Sequence, residues 1–208
     1  MIDRASLFVF SLALSTLISF GDTFAETSRS PEAAVLMNQL MSGKAPVGGP
    51  FTLTDQYGQK RSLSDFKGKI VLIYFGYISC PDVCPGDLMA ITQLMKRLKE
   101  NASKVQPLFI TLDPKRDTAE VLRQYLKNFY PGILGLYGSE AETLKIAKAY
   151  KTYYEKIGRT DANNYFIDHT AFIYLINQSG KYLAFFPPGT PPERMEVMVM
   201  EELSKLKG

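Results

Sequence analysis

A chain of 208 residues, 46% hydrophobic and 22% charged, is long enough for one ordinary domain with a real core and too short for several. Its formal net charge is +3 at pH 7, and basic residues alternate with acidic ones along stretches of helical spacing, so no basic block tracks a phosphate backbone and nucleic acid is not an expected partner. Two cysteines and one histidine leave no material for a multi-disulfide scaffold.

The chain opens on Met1-Ile2-Asp3-Arg4, continues without charge through residues 5–20, and reaches Thr23 and Ala25, a small-residue pattern before Glu26. Residues 1–25 read as a signal peptide or, if uncleaved, an N-terminal membrane anchor; the apolar stretch falls short of the roughly 20 residues of a spanning helix. Either way the bulk of the chain is expected outside the cytoplasm. Beyond this segment 23 basic side chains face 19 acidic ones, a formal balance of +4. Residues 26–49, rich in Ser, Pro, Ala and Gly, read as a linker, and residues 50–208 as the domain.

Residues 51–54 and 60–63 flank Gln56-Tyr57-Gly58 as a small hairpin. Residues 70–75, Ile-Val-Leu-Ile-Tyr-Phe, form the unbroken apolar run of a strand buried on both faces. That strand feeds Gly76-Tyr77-Ile78-Ser79-Cys80-Pro81-Asp82-Val83-Cys84-Pro85, after which Leu88, Ile91, Leu94, Met95 and Leu98 recur at helical spacing. Residues 105–112 predict a second buried strand. Asp117-Thr118-Ala119-Glu120 carries an Asp-x-x-Glu helix-start signal, and residues 133–137 predict a short strand. Ser139-Glu140-Ala141-Glu142 starts another capped helix, expected to run to about Tyr154 and to give way to a polar loop over residues 156–164. Residues 171–176 and 182–186 flank Gln178-Ser179-Gly180 as an antiparallel hairpin, and residues 191–206 predict a final amphipathic helix. Strand and helix alternating, then a hairpin and a helix, is the order of an α/β thioredoxin-like fold: a mixed central sheet with helices on both faces. The cysteine turn then stands at the carboxyl ends of the parallel strands, where such sheets bind ligands.

Two cysteines at i and i+4 on a helical turn share one side, with Cβ atoms about 5–6 Å apart, near enough to share one metal ion or to form a disulfide. Thiolate selects soft metals: Cu(I), zinc or an iron–sulfur cluster. A structural zinc site asks for four ligands, and this chain offers two Cys and one His. Three-coordinate Cu(I) is satisfied by Cys80, Cys84 and His169, the last at a strand end with Asp168 beside it to orient the ring. Cys80 and Cys84 are equally a candidate redox pair, although a thioredoxin-type reductant carries one residue fewer between its sulfurs. Asp113 reads chiefly as a turn former with a secondary role near the site. Asp82 reads as a helix-start carboxylate, and Tyr74, Phe75 and Tyr77 as core and pocket wall.

Tyr74-Phe75-Gly76-Tyr77-Ile78-Ser79-Cys80-Pro81-Asp82-Val83-Cys84-Pro85, then Leu112-Asp113-Pro114-Lys115-Arg116-Asp117-Thr118, then Asp168-His169-Thr170, in that order and spacing, resemble the Sco/SenC copper-chaperone family over about residues 46–206. The resemblance implies a thioredoxin-like fold and Cu(I) held by Cys80, Cys84 and His169. It further implies an upstream copper donor, delivery to the cytochrome c oxidase subunit that carries the dicopper site, and membrane contact only through residues 1–25 if they are uncleaved. The implied compartment is the periplasm, the periplasm-facing inner membrane or the mitochondrial intermembrane space. Such a protein binds and transfers without turnover. The alternative within the same resemblance is a thiol–disulfide oxidoreductase that reduces the cysteines of that oxidase site.

Overall fold

The structure is a computed structural model that describes residues 35, 37–40, 42, 46–158 and 165–205; the expected export segment 1–25 lies outside them. Among the described residues no helix is long and apolar enough to cross a membrane.

Strands β1 (Thr52–Asp55) and β2 (Lys60–Ser62) pair as the expected hairpin. β3 (Ile70–Gly76) leads to helix α1 (Val83–Arg97), then β4 (Val105–Thr111), α2 (Ala119–Leu126), β5 (Leu134–Tyr137) and α3 (Glu140–Ala149). β6 (Tyr154–Ile157) and β7 (Phe166–His169) form a separate two-stranded antiparallel ribbon. β8 (Ile173–Ile176), β9 (Tyr182–Phe186) and α4 (Pro192–Ser204) complete the chain order. The main sheet runs β2-β1-β5-β4-β3-β8-β9, with β3, β4 and β5 parallel and the outer strands antiparallel. It is the mixed sheet that the alternation of elements predicts.

Every residue of β3 is buried, because helices cover both faces. Successive strand side chains point opposite ways, so Tyr74 and Phe75 mark the two sides. Tyr74 packs on Phe109, which meets Tyr125 of α2; Phe75 packs on Tyr150, just after α3, and on Tyr174. α1 and α4 are joined by Arg97, which pairs with Glu193 and Glu196.

Two element boundaries differ from expectation. Helix α2 is capped by Thr118, whose side chain accepts from the Val121 N–H, and Asp117 turns inward to a buried position. Helix α3 begins with the Ser139/Glu142 capping box as expected but ends at Ala149. Its end is a Schellman closure: Thr152 N–H donates to Ala147 O, Lys151 N–H donates to Lys148 O, and Lys151 takes φ 58°. With lysine where glycine is usual, the sequence carries no stop signal, and strand β6 occupies the stretch where the sequence predicts the end of the helix and the start of a loop.

Candidate metal centre

The site is made where β3 ends. Leu112 N–H donates to Gly76 O, keeping the ends of β3 and β4 abreast, and the chain then leaves the sheet through Tyr77 and a short loop. Cys80 lies in that loop, its N–H donating to Tyr77 O at 3.3 Å, so it precedes the helix rather than sharing a helical turn with Cys84. Asp82 occupies the N-cap position of α1 without a side-chain cap bond, and Cys84 is the second helical residue, fully buried. Its sulfur rests over Gly76: a Cβ built there would stand 3.0 Å from Cys84 Sγ.

His169 arrives from the ribbon as the last residue of β7, paired with Tyr154. Its Nε2 lies 3.3 Å from Cys84 Sγ, and its Nδ1 lies 3.2 Å from Thr170 O. A carbonyl only accepts, so Nδ1 carries the ring proton and Nε2 presents a lone pair to the cysteines. The Thr170 carbonyl therefore orients the ring; Asp168, expected in that role, is exposed on the ribbon's other face. The Tyr77 ring stands edge-on to the imidazole, centroids 5.9 Å apart. The ligand atoms of Cys80, Cys84 and His169 all lie within 4.8 Å of one another. Sequence reasoning thus named three residues that the fold brings together from positions 85 residues apart.

The two thiols share protons unequally. The hydrogen bond from Cys84 pulls the Cys80 thiol far below the usual thiol range, against the opposing effect of burial, with the backbone N–H groups of Asp82 and Cys84 adding to it. The same bond to Cys80, together with burial, holds the Cys84 thiol far above that range. Cys80 is therefore the more acidic of the two thiols and Cys84 the one that holds its proton more tightly. Behind Cys84, Tyr74 and Asp87 are buried, and burial raises the pKa of both; Asp87 accepts from the Gly189 N–H at 3.2 Å.

The loop after β4 braces this centre. Asp113 is the turn former expected, its carbonyl accepting from the N–H groups of Arg116 and Asp117, and its buried carboxylate also takes Arg116 Nε and the Tyr165 hydroxyl. Asp117 accepts from Ile78 N–H at 3.1 Å and from Thr111 Oγ1 at 2.5 Å. It therefore pins the cysteine loop to the sheet, a role that nothing in its sequence surroundings announced. Burial raises its pKa to about 6. An acid bound more tightly to its proton when folded contributes stability that is full below its unfolded pKa of 3.8 and is lost as pH rises through about 6, roughly 3 kcal/mol. The unfolding free energy of Asp117→Asn should therefore gain on that of wild type, by up to about that amount, between pH 4 and pH 7.5. Denaturant titrations at the two pH values measure it; a difference that ignores pH would contradict the assignment.

The SCO1/SenC family profile matches residues 39–204. A SCO2-like protein of Rickettsia prowazekii (strain Madrid E) is 39% identical over 178 residues, 84% of this chain and 87% of that one. The solved structure of Bradyrhizobium japonicum ScoI with copper bound is similar at a TM-score of 0.70 and 39% identity, covering 75% of this chain and 99% of that chain. Yeast Sco1 with copper bound is similar at 0.71 and 33% identity, covering 77% of this chain and 90% of that chain. The profile takes in both the cysteine loop and the histidine ribbon, on the same thioredoxin-like α/β framework as these relatives; the chain belongs to the SCO1/SenC family.

Proposed function

We propose that this chain is a copper carrier of respiratory oxidase assembly, holding one Cu(I) between Cys80 Sγ, Cys84 Sγ and His169 Nε2. The observation that carries the reading is the convergence of two sulfurs and one imidazole lone pair within 4.8 Å. Two soft thiolates and a neutral imidazole match three-coordinate Cu(I) and fall short of a closed zinc site. The similar structures of Bradyrhizobium japonicum ScoI and yeast Sco1 have copper bound, which supports copper as the metal. Cys80 offers its thiolate at once; Cys84 gives up its proton as the metal enters, so binding releases protons and strengthens as pH rises. The Thr170 carbonyl keeps Nδ1 protonated and Nε2 aimed inward throughout. Copper is the cargo here, and it leaves when a partner's ligands replace these three.

The Sco family is one of cytochrome c oxidase assembly, and the recipient in this reading is the oxidase subunit carrying the dicopper site, with a separate donor upstream. Residues 1–25 export the chain or anchor it, and residues 50–208 carry the copper outside the cytoplasm; of the connecting segment 26–49, Leu40 packs into the domain core with its carbonyl accepting from the Tyr182 hydroxyl. The test is a Cu(I) titration of the purified protein in reduced and oxidised form. One equivalent per chain is expected when the thiols are reduced and none when they are joined as a disulfide. Absence of binding by the reduced protein would end the reading.

A second reading rests on the inequality of the thiols. A half-exposed Cys80 with a depressed pKa is a nucleophile, and Cys84 is placed to resolve the mixed disulfide it would form. On this reading the pair becomes a disulfide as two electrons pass to a partner's cysteines. His169→Ala separates the two: it should weaken copper binding and leave dithiol exchange intact.

A further inference from the structure

The ribbon that carries His169 is not part of the main sheet. It consists of two four-residue strands, and a two-stranded ribbon of that size has little stability of its own. Its middle is held by Ile167, which is buried in the core with its N–H donating to the Tyr77 hydroxyl oxygen, and by Lys156 pairing with Glu140; its two ends are fixed separately. At the His169 end, Thr170 N–H donates to Tyr153 O. At the other end stands Tyr165, the residue before β7, and four contacts converge on it.

The Arg116 guanidinium lies 3.7 Å from the centroid of the Tyr165 ring, and Arg116 Nη1 donates to Tyr165 O at 2.9 Å. The Tyr165 hydroxyl donates to Asp113 Oδ1 at 2.7 Å, while Arg116 Nε pairs with the other oxygen of the same carboxylate. Asp113, Arg116 and Tyr165 thus form a closed ring of contacts linking the loop after β4 to the root of the ribbon. Lys156 of β6 also reaches the Tyr165 ring, at 4.8 Å, so both ribbon strands are held at this point. Arg116 further lies 5.9 Å from the centroid of Tyr77, the ring that stands edge-on to His169.

We propose that Arg116 is a positioning residue for His169: through its stack and hydrogen bond with Tyr165, it holds the ribbon so that the imidazole faces Cys84. Neither Arg116 nor Tyr165 is a metal ligand. A planar guanidinium can stack on the ring, bind the carbonyl and pair with a carboxylate at once, which a lysine cannot. The inference rests on the copper reading for its functional consequence and on the hydrogen-bond geometry for its structural one.

The test has two arms. In the first, Cu(I) affinity is measured by competition with a chromogenic Cu(I) chelator for wild type, Arg116→Met and Tyr165→Phe, each also in a His169→Ala background. Because the clamp acts through His169, Arg116→Met should raise the dissociation constant about tenfold in the wild-type background and hardly at all in His169→Ala, with Tyr165→Phe a smaller copy. In the second arm, amide exchange of residues 165–170 is followed in the metal-free protein, and Arg116→Met should speed it about tenfold while leaving β3 and β4 protected. An equal loss of affinity in both backgrounds, or unchanged exchange, would overturn the proposal. If wild type binds no Cu(I), the copper reading fails by itself, and the exchange arm still decides whether Arg116 holds the ribbon. If Arg116→Met does not fold, Arg116→Lys, which keeps the charge but cannot stack, bind the carbonyl and pair with the carboxylate at once, carries both arms with the same expected and overturning results.

Discussion

Cys84→Ser is expected to weaken Cu(I) binding by on the order of a thousandfold, about 4 kcal/mol, with little change in the fold. The sulfur it removes is fully buried, at the second residue of α1 and 3.3 Å from His169 Nε2, so no solvent ligand can take its place without displacing the core. A serine hydroxyl is a hard donor that stays protonated, and it has almost no affinity for Cu(I). The hydroxyl can still share a hydrogen bond with the imidazole, which is why stability should barely move. Cys80 is half-exposed, so the same exchange there should have the smaller effect, with water or an added thiol filling in. Competition titrations of the two single variants compare them. A parallel melting experiment completes the picture: copper at a thousand times the wild-type dissociation constant should add about 4 kcal/mol to the wild type by mass action and only about 0.4 kcal/mol to Cys84→Ser. Equal copper affinity in Cys84→Ser and wild type would remove the buried thiol from the site.

Gly76→Ala should damage both the fold and the copper site, although Gly76 touches no metal. The added methyl carbon would stand 3.0 Å from Cys84 Sγ, 3.0 Å from Phe109 Cε2 and 3.1 Å from Tyr74 Cε1. All three neighbours are buried, and the two rings are packed on each other, so none is a flexible tip that swings aside. Overpacking of this kind costs about 1–3 kcal/mol, which for a domain of this size lowers the melting temperature by several degrees. The sulfur is the contact most able to yield, and moving it spoils its alignment with Cys80 and His169, so Cu(I) affinity should fall in the same variant. A variant as stable and as copper-competent as wild type would show that the sulfur has slack against β3.

How much of this was legible in the sequence follows from the range of each signal. The run of residues 70–75 announced a strand covered on both faces, and the Ser139/Glu142 pair announced a helix start, because each effect is complete within a few residues. Thr118 displaced Asp117 as cap because Asp117 has a better use across the sheet, at Ile78 and Thr111, and no local pattern records that choice. The end of α3 was missed because Lys151 adopts the left-handed conformation that glycine usually marks. The three converging residues were legible from their chemistry, since two cysteines and one histidine leave few alternatives. The orientation of His169 was not: the Thr170 carbonyl takes the place assumed for Asp168. The Arg116–Tyr165 contact, 49 residues apart, depends on where the ribbon lands.

The two outer strands of the main sheet determine how the chain behaves beside copies of itself. An open strand edge invites another chain to add to the sheet. On one side that edge is β2, three residues long and reading Lys60-Arg61-Ser62, too short and too charged to template growth. On the other it is β9, which pairs with β8 through an irregular register and runs directly into Pro187 and Pro188, whose nitrogens have no hydrogen to donate. Concentrated protein should therefore stay dispersed without a partner to mask either border, and a Pro187→Val, Pro188→Thr chain, with its border lengthened, should be the one that clouds.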